Sequence, residues 1–228
     1  MKFLNKGLLF LSFLCLFLVL KSSEERLLLE SAGFLFQQFK VGNEIIFNLS
    51  CGMLISIWFY FLVVWLPEKK NKKRIKTHFR FRYLEFKYNL IMHIVGACRE
   101  PYDSDLLNKL IEPNAFRDHF KVKVTANQDR WHVFVNNFDN KLLADILNEF
   151  EVLKYATTYL IGNVEVDDDE VFAFLHRINT ISVTLKGVSL EDDSLKRLTR
   201  LLWQMLAGFS WADGYQDDNY FDNMFRKI

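Results

Sequence analysis

An uncharged run from residue 45 to residue 66, IIFNLSCGMLISIWFYFLVVWL, limits what this chain can fold into more than any other feature. As a helix with a rise of about 1.5 Å per residue it reaches roughly 33 Å, enough to cross a hydrocarbon core of about 30 Å. Trp58, Tyr60 and Trp65 lie in its second half, where amphipathic rings favour the headgroup region. The run therefore predicts a transmembrane helix over residues 45–66.

The charges that follow this run predict its orientation. Residues 67–87 carry 9 Lys or Arg against 2 Asp or Glu, whereas residues 88–228 carry 15 against 22. Dense Lys and Arg beside a membrane helix mark the cytoplasmic side. We therefore expect a cytoplasmic C-terminal domain, residues 99–228, joined to the membrane by a basic juxtamembrane helix, residues 67–98.

The first apolar segment predicts a second membrane helix at about residues 3–20. It is short, so Lys2 and Lys6 would have to extend toward the interface. The alternative is a cleaved signal peptide, which the absence of a small-x-small site after the segment disfavours. Residues 21–44 would form an outer interfacial segment or extend the first helix. With residues 1–66 as the transmembrane region, we expect the bacterial inner membrane and a cytoplasmic N-terminus.

Four polar or small residues recur at every fourth position of the run: Asn48, Gly52, Ser56 and Tyr60. This spacing places them on one side of a helix. One interpretation is helix packing, because small residues allow close approach and Asn or Ser can hydrogen-bond across the contact. The other is a pore lining, a polar path through a ring of subunits. Either interpretation predicts a homo-oligomer, and a path would need a tetramer or a larger ring.

The basic juxtamembrane helix combines a cationic surface with an apolar face at helical spacing, formed by Phe79, Tyr83, Phe86, Leu90 and Ile94. Its basic residues are candidates for binding lipid headgroups or an anionic ligand: Lys69, Lys70, Lys72, Lys73, Arg74, Lys76, Arg80 and Arg82. Each Lys or Arg near an anionic leaflet contributes about 1 kcal/mol. Residues 78–83, HFRFRY, alternate basic and aromatic side chains, which also suits a nucleotide or a single-stranded oligonucleotide.

The remaining residues, 99–228, predict a helical bundle, so the chain is expected to be an all-α membrane protein. Candidate helix caps precede several apolar periodic runs: Asp103 or Ser104, Asp139 or Asn140, the cluster DDDE at 167–170, and Asp192 or Asp193. Gly208 is expected to end a helix, and a short amphipathic helix should occupy residues 219–228.

Two further predictions concern the secondary structure of this domain. Residues 120–135 favour helix, and the alternative is a small β-hairpin whose second strand is residues 131–135. The helix that begins near Asp139 is expected to run to about Ile161 and to carry Leu142, Leu143, Ile146, Leu147, Phe150, Leu153 and Tyr155.

No pattern in the sequence indicates an enzyme. The five histidines form no metal-binding pair, and nucleophile elbows, phosphate loops and dinucleotide-binding glycine motifs are missing. Cys15, Cys51 and Cys98 are far apart, which favours small apolar residues in helix contacts over disulfides or zinc ligands. We expect no catalytic residues, no metal site and no cofactor.

The layout of most of the chain, two N-terminal helices followed by a cytoplasmic helical domain, resembles small two-helix membrane channel effectors of bacterial anti-phage defence systems. No sequence motif contributes to this resemblance. It implies an oligomeric membrane effector, a ligand-gated ion channel or pore whose cytoplasmic domain senses a nucleotide or oligonucleotide signal. The alternative function is a membrane-anchored helical scaffold or adaptor that binds a cytoplasmic protein partner.

Overall fold

The chain is helical apart from two very short hairpins within the residues that the structure describes. This structure is a computed structural model that describes residues 2–23, 38–210, 214–215 and 219–228, without the side chains of residues 2–5 and 192. It divides into two compact units, Met1–Asn71 and Lys72–Ile228. The predicted all-α class is confirmed for the described residues.

The N-terminal unit contains α1, Lys2–Ser22, and α2, Asn43–Tyr60. The two helices pack against each other along a side of α2 that includes the buried Ser50, and the Cys15 and Met53 sulfurs lie 4.0 Å apart. Gly42 precedes α2 in a left-handed conformation (φ 85°) that glycine adopts without strain. Residues 24–37, most of the predicted outer interfacial segment, lie outside the described residues.

A π-helical turn, Phe61–Trp65, joins α2 to α3, Leu66–Ala97, without a break in the helix. In this turn the amide of Leu66 donates to the carbonyl of Phe61, five residues back. Pro67 explains the change, because its ring has no N–H to donate and would clash with a carbonyl in a regular helix. The proline is therefore accommodated inside a continuous helix.

The helical stretch Asn43–Ala97 is the only one among the described residues that is long and apolar enough to cross a membrane. Only 6% of its apolar window is buried. Length and composition therefore support one of the two predicted membrane helices.

In the C-terminal unit, the apolar face of α3 is covered by protein. Tyr83 stacks on Phe225 with ring centroids 3.5 Å apart, and Phe86 meets Phe150 edge to face at 5.1 Å. The face predicted from spacing is confirmed, since all its members are buried: Phe79, Tyr83, Phe86, Leu90 and Ile94. From Phe79 onward this face is occupied by the domain core and cannot also rest on a lipid surface.

The other helices of the C-terminal unit are α4 (Ser104–Leu110), α5 (Pro113–Lys121), α6 (Arg130–Asn136), α7 (Asn140–Asn163), α8 (Asp169–Leu185), α9 (Asp192–Ala207) and α10 (Tyr220–Lys227). Three predicted caps are confirmed, because the carboxylates of Asp103, Asp139 and Asp168 accept hydrogen bonds from amides in the first turns. Gly208 ends α9 in a left-handed conformation, also as predicted.

The predicted cap of α9 is wrong. Asp192 and Asp193 are already inside the helix, and the capping position is Glu191, whose side chain makes no capping hydrogen bond. A local acidic pattern identifies the start of a helix only to within a residue or two, because carboxylates are also favoured in the first turn.

The region 120–135 contains both predicted alternatives. Strand β1, Lys123–Thr125, pairs antiparallel with β2, Gln128–Asp129. The predicted second strand, residues 131–135, is instead part of α6, because Asp129 accepts a 2.9 Å hydrogen bond from the amide of His132 and starts a helix there. A second hairpin, β3 (Phe209–Ser210) with β4 (Gly214–Tyr215), was not predicted.

A buried ion pair fixes the C-terminal helix to α3. The ammonium of Lys87 lies 2.9 Å from Asp222 and also donates to the carbonyl of Ile111 at 3.0 Å. The hydroxyl of Tyr83 donates to the same carboxylate at 2.6 Å. Burial, followed by the negative charge of Asp222, raises the pKa of Tyr83 well above its usual value, so the phenol stays protonated and keeps donating.

We expect Asp222→Ala to destabilise the C-terminal unit by roughly 3–5 kcal/mol, because it leaves the buried Lys87 ammonium without its counter-charge. The double variant Lys87→Met with Asp222→Leu should lose less, since no charge is then left buried. Guanidinium unfolding of the full chain in detergent, followed by circular dichroism, measures both.

The matched control is Lys227→Gln on the same helix, which breaks an exposed pair with Glu170 (2.8 Å). It should leave the unfolding midpoint unchanged. A double variant as unstable as Asp222→Ala would contradict the assigned role of the buried charge.

Candidate functional site: the groove between α3 and α7

The eight predicted basic residues do not form a single site. Lys69 lies over the ring of Trp65, with its ammonium 4.7 Å from the centroid. Arg80 donates to the carbonyl of Arg226 at 3.0 Å and so helps to hold the end of α10. Lys70 and Lys73 are exposed, and Lys72 and Lys76 are half-buried. Arg80 also lines a smaller cavity beside Asp222, and Arg74 and Arg82 together line a different concave surface.

That surface is a groove of about 640 Å³ between α3 and α7, entirely within the C-terminal unit. Three basic side chains line it from α3: Arg74, His78 and Arg82. The α7 side is lined by Val152, Tyr155, Ala156 and Tyr159, and the buried Ile75 and Phe79 complete the lining. The groove therefore combines cationic, aromatic and apolar surface.

The helical repeat explains this arrangement. On α3, the three basic residues follow one another at intervals of four, so they share one side of the helix beside the buried face. On α7, Tyr155 and Tyr159 are also four residues apart, and small Ala156 lies between them. The groove exists because two adjacent helices present these complementary rows next to each other.

The two tyrosines are unusually exposed for large aromatic residues, Tyr155 at 66% and Tyr159 at 56%. The apolar pattern of this helix included Tyr155 but did not predict which side of the helix it occupies. The inward row of α7 consists of Leu143, Ile146, Phe150, Leu153, Thr157 and Leu160, at intervals of three and four. Tyr155 is two residues after Leu153 and therefore lies outside that row. The regular spacing of this buried row was the sequence signal that could have identified Tyr155 as an exposed residue.

The lining contains three basic side chains and no acidic one. Arg82 is already engaged, because it donates to Glu85 at 2.6 Å from within α3. On the α7 side, Glu151 binds Lys186 at 3.0 Å, and this hydrogen bond lowers the pKa of the Glu151 carboxyl. The nearby carboxylates are thus paired with cations, and the groove favours an anion.

The polar stripe of α2, which consists of Asn48, Gly52, Ser56 and Tyr60, lies in the N-terminal unit and is not part of the groove. Asn48, Gly52 and Ser56 are exposed on the side away from α1, and Tyr60 is half-buried. The Ser56 hydroxyl donates to the carbonyl of Gly52 at 2.8 Å, so its hydrogen-bonding need is met inside the helix. An added methyl group at Gly52 would touch nothing among the described atoms. Asn48, Gly52 and Ser56 therefore do not form the contact between α1 and α2, whereas Tyr60 lines a cavity with Leu8 and Ser12 of α1.

Metal-binding and nucleophilic groups are sparse in the part of the chain that the structure describes. No group of three or more His, Cys, Asp or Glu residues is arranged there to hold a metal ion. The Cys98 thiol donates to the carbonyls of Ile94 and Arg130, and burial together with the Glu100 carboxylate raises its pKa to about 11. Such a thiol is a poor nucleophile at neutral pH.

No significant match to this chain is found among protein-family models, curated proteins or solved structures. Its function is therefore inferred from its residues and their geometry. The resemblance in layout to two-helix defence effectors stays a prediction.

We expect Cys98 to react with iodoacetamide at pH 8 at least about 100-fold more slowly than an ordinary thiol, because a pKa near 11 leaves very little thiolate. The rate should rise about tenfold per pH unit up to that value. Peptide mass spectrometry measures it, with Val183→Cys on an exposed site of α8 as the internal reference. Equal rates at the two cysteines would refute the raised pKa.

Proposed function

We propose that this chain is a membrane-anchored effector whose helices assemble in the bilayer and whose C-terminal helical domain receives a soluble signal. The observation that carries this proposal is the exposure of the apolar helix α2. Ile45 is 74% exposed and Ile55 is 70% exposed, whereas an apolar helix in the core of a soluble protein would bury such side chains. A lipid environment removes this exposed apolar surface from water.

Under this proposal α1 is the second membrane helix. It covers 21 residues, packs against α2 and exposes Phe10 and Phe13 on its surface. The basic residues after Trp65 favour a cytoplasmic C-terminal domain, and two crossings then place the N-terminus on the same side. The bacterial inner membrane is the location that this topology suits.

The exposed stripe on α2 supports self-assembly. The Asn48 amide is exposed and has no hydrogen-bond partner among the described residues, so in a hydrocarbon core it gains by meeting a polar group of another copy. Gly52 provides space for a second helix to approach closely. A closed ring built on this side of α2 would place the stripe along its axis and could conduct ions, which requires four or more copies.

The second candidate function is a membrane-anchored adaptor for a cytoplasmic protein. It is favoured by Phe81 and Leu84, which are exposed on α3 away from the buried face of that helix. In this case the membrane helices serve only as an anchor, and the signal is a protein partner.

We expect the double variant Asn48→Leu with Ser56→Leu to abolish ion conductance, because it removes the two polar side chains of the exposed stripe. The measurement is current across planar bilayers that contain the purified full chain, with the oligomeric state determined in parallel by native mass spectrometry. The matched control is Ile45→Leu with Ile55→Leu, which changes apolar residues on the same exposed side and should conduct like wild type.

Three results separate the possibilities. Loss of current with the oligomer intact supports a conducting stripe. Loss of both supports assembly through the stripe, without a pore. No current from any wild-type preparation, together with capture of one stoichiometric cytoplasmic protein that Phe81→Ser or Leu84→Ser abolishes, supports the adaptor.

A further inference from the structure

We propose that the groove between α3 and α7 is a nucleotide site, in which the basic residues of α3 bind phosphate and the tyrosines of α7 stack on the base. This inference rests on the proposed function in one respect, because it names the chemical class of the soluble signal. Binding can be measured whether or not the membrane helices conduct.

The α3 side of the groove supplies the phosphate-binding chemistry. Arg74, His78 and Arg82 occupy successive turns of one helix face, so their polar ends line about 12 Å of the groove. Guanidinium groups bind phosphate oxygens through paired, charge-assisted hydrogen bonds. Since no acidic side chain lines the groove, a bound phosphate meets attraction from the lining residues.

The α7 side supplies the aromatic surface. Tyr155 and Tyr159 lie one turn apart with both rings exposed, and neither ring stacks on another described aromatic side chain. Solvent-exposed rings one turn apart are a common platform for nucleobases, because every base has a face that can stack. A site for inorganic phosphate or for a simple lipid headgroup has no need of two such rings.

Size and charge favour a small nucleotide over a long strand. The groove volume of about 640 Å³ lies in the usual range for small-molecule sites. Beyond α3 the domain is acidic, with 15 Lys or Arg against 22 Asp or Glu in residues 98–228, which repels an extended polyanion. The single-stranded oligonucleotide considered from the sequence is thereby disfavoured relative to a mononucleotide or dinucleotide.

Glu85 is expected to oppose binding. Its carboxylate holds Arg82 at 2.6 Å, and a ligand phosphate has to compete for the same guanidinium. Glu85→Gln weakens this competitor and leaves the groove lining intact. It should tighten nucleotide binding severalfold, a gain that partial misfolding of the variant cannot produce.

The test is isothermal titration calorimetry on the full chain in phosphatidylcholine nanodiscs, with adenosine monophosphate, adenosine and inorganic phosphate as probes. Arg82→Gln should weaken the binding of adenosine monophosphate and of phosphate about tenfold and leave the binding of adenosine unchanged. Tyr155→Leu or Tyr159→Leu should weaken the binding of adenosine monophosphate and of adenosine about tenfold and leave the binding of phosphate unchanged. Tyr159→Phe, which keeps the ring, should bind like wild type.

Two controls complete the experiment. Lys141→Gln removes an exposed charge from α7 outside the groove lining and should have no effect on any probe. Nanodiscs that contain phosphatidylglycerol test whether a lipid headgroup occupies the groove. In these nanodiscs the chain should still bind adenosine monophosphate, and Tyr155→Leu or Tyr159→Leu should weaken that binding as before.

The proposal is overturned if none of the probes binds the wild-type chain. It is also overturned if adenosine monophosphate binds no better than inorganic phosphate and the tyrosine variants have no effect, because the groove is then a general anion or headgroup surface. Nucleotide binding without any bilayer current would remove the channel and leave this inference standing. Current without nucleotide binding would overturn this inference and leave the channel standing.

Discussion

The buried face of α3 is the surface on which the C-terminal unit depends. Aromatic side chains from α7 and α10 pack directly on it, and the contact of Phe86 with Phe150 lies at its centre. Burial of large aromatic rings contributes most of the favourable free energy in such a core. The Lys87–Asp222 pair adds specificity, because it fits only one placement of α10 against α3.

This packing also creates the groove. Helix α3 has a cationic side next to its buried face, and the helix that covers the buried face brings its own outer residues beside those cations. Tyr155 and Tyr159 meet the basic row because Phe150, Leu153 and Leu160 fix the rotation of α7. The chemistry of the candidate site is therefore a by-product of how two amphipathic helices share one core.

The membrane segment obeys a different constraint. In α2 the side that faces α1 is covered, and the other side exposes large apolar residues together with Asn48, Gly52 and Ser56. Exposure of this apolar surface to water costs free energy, whereas contact with lipid or with another copy of the helix does not. The π-helical turn before Pro67 keeps the helix continuous where a proline would otherwise break its hydrogen bonding.

The sequence by itself determined the properties that arise from local periodicity. These are the long apolar helix, the amphipathic face from Phe79 to Ile94, the caps at Asp103, Asp139 and Asp168, and the helix end at Gly208. Such features depend on residues within a turn or two of each other, so spacing alone is enough to find them.

Tertiary structure alone decided what each helix meets. The pairing of Lys87 with Asp222 joins residues 135 apart in the chain, and the groove joins Arg82 to Tyr155 and Tyr159 across α3 and α7. Tyr155 shows the limit of the sequence, because apolar character places a tyrosine equally well in a core or on a binding surface. Only the rotation of α7, set by all of its core contacts together, selected the surface.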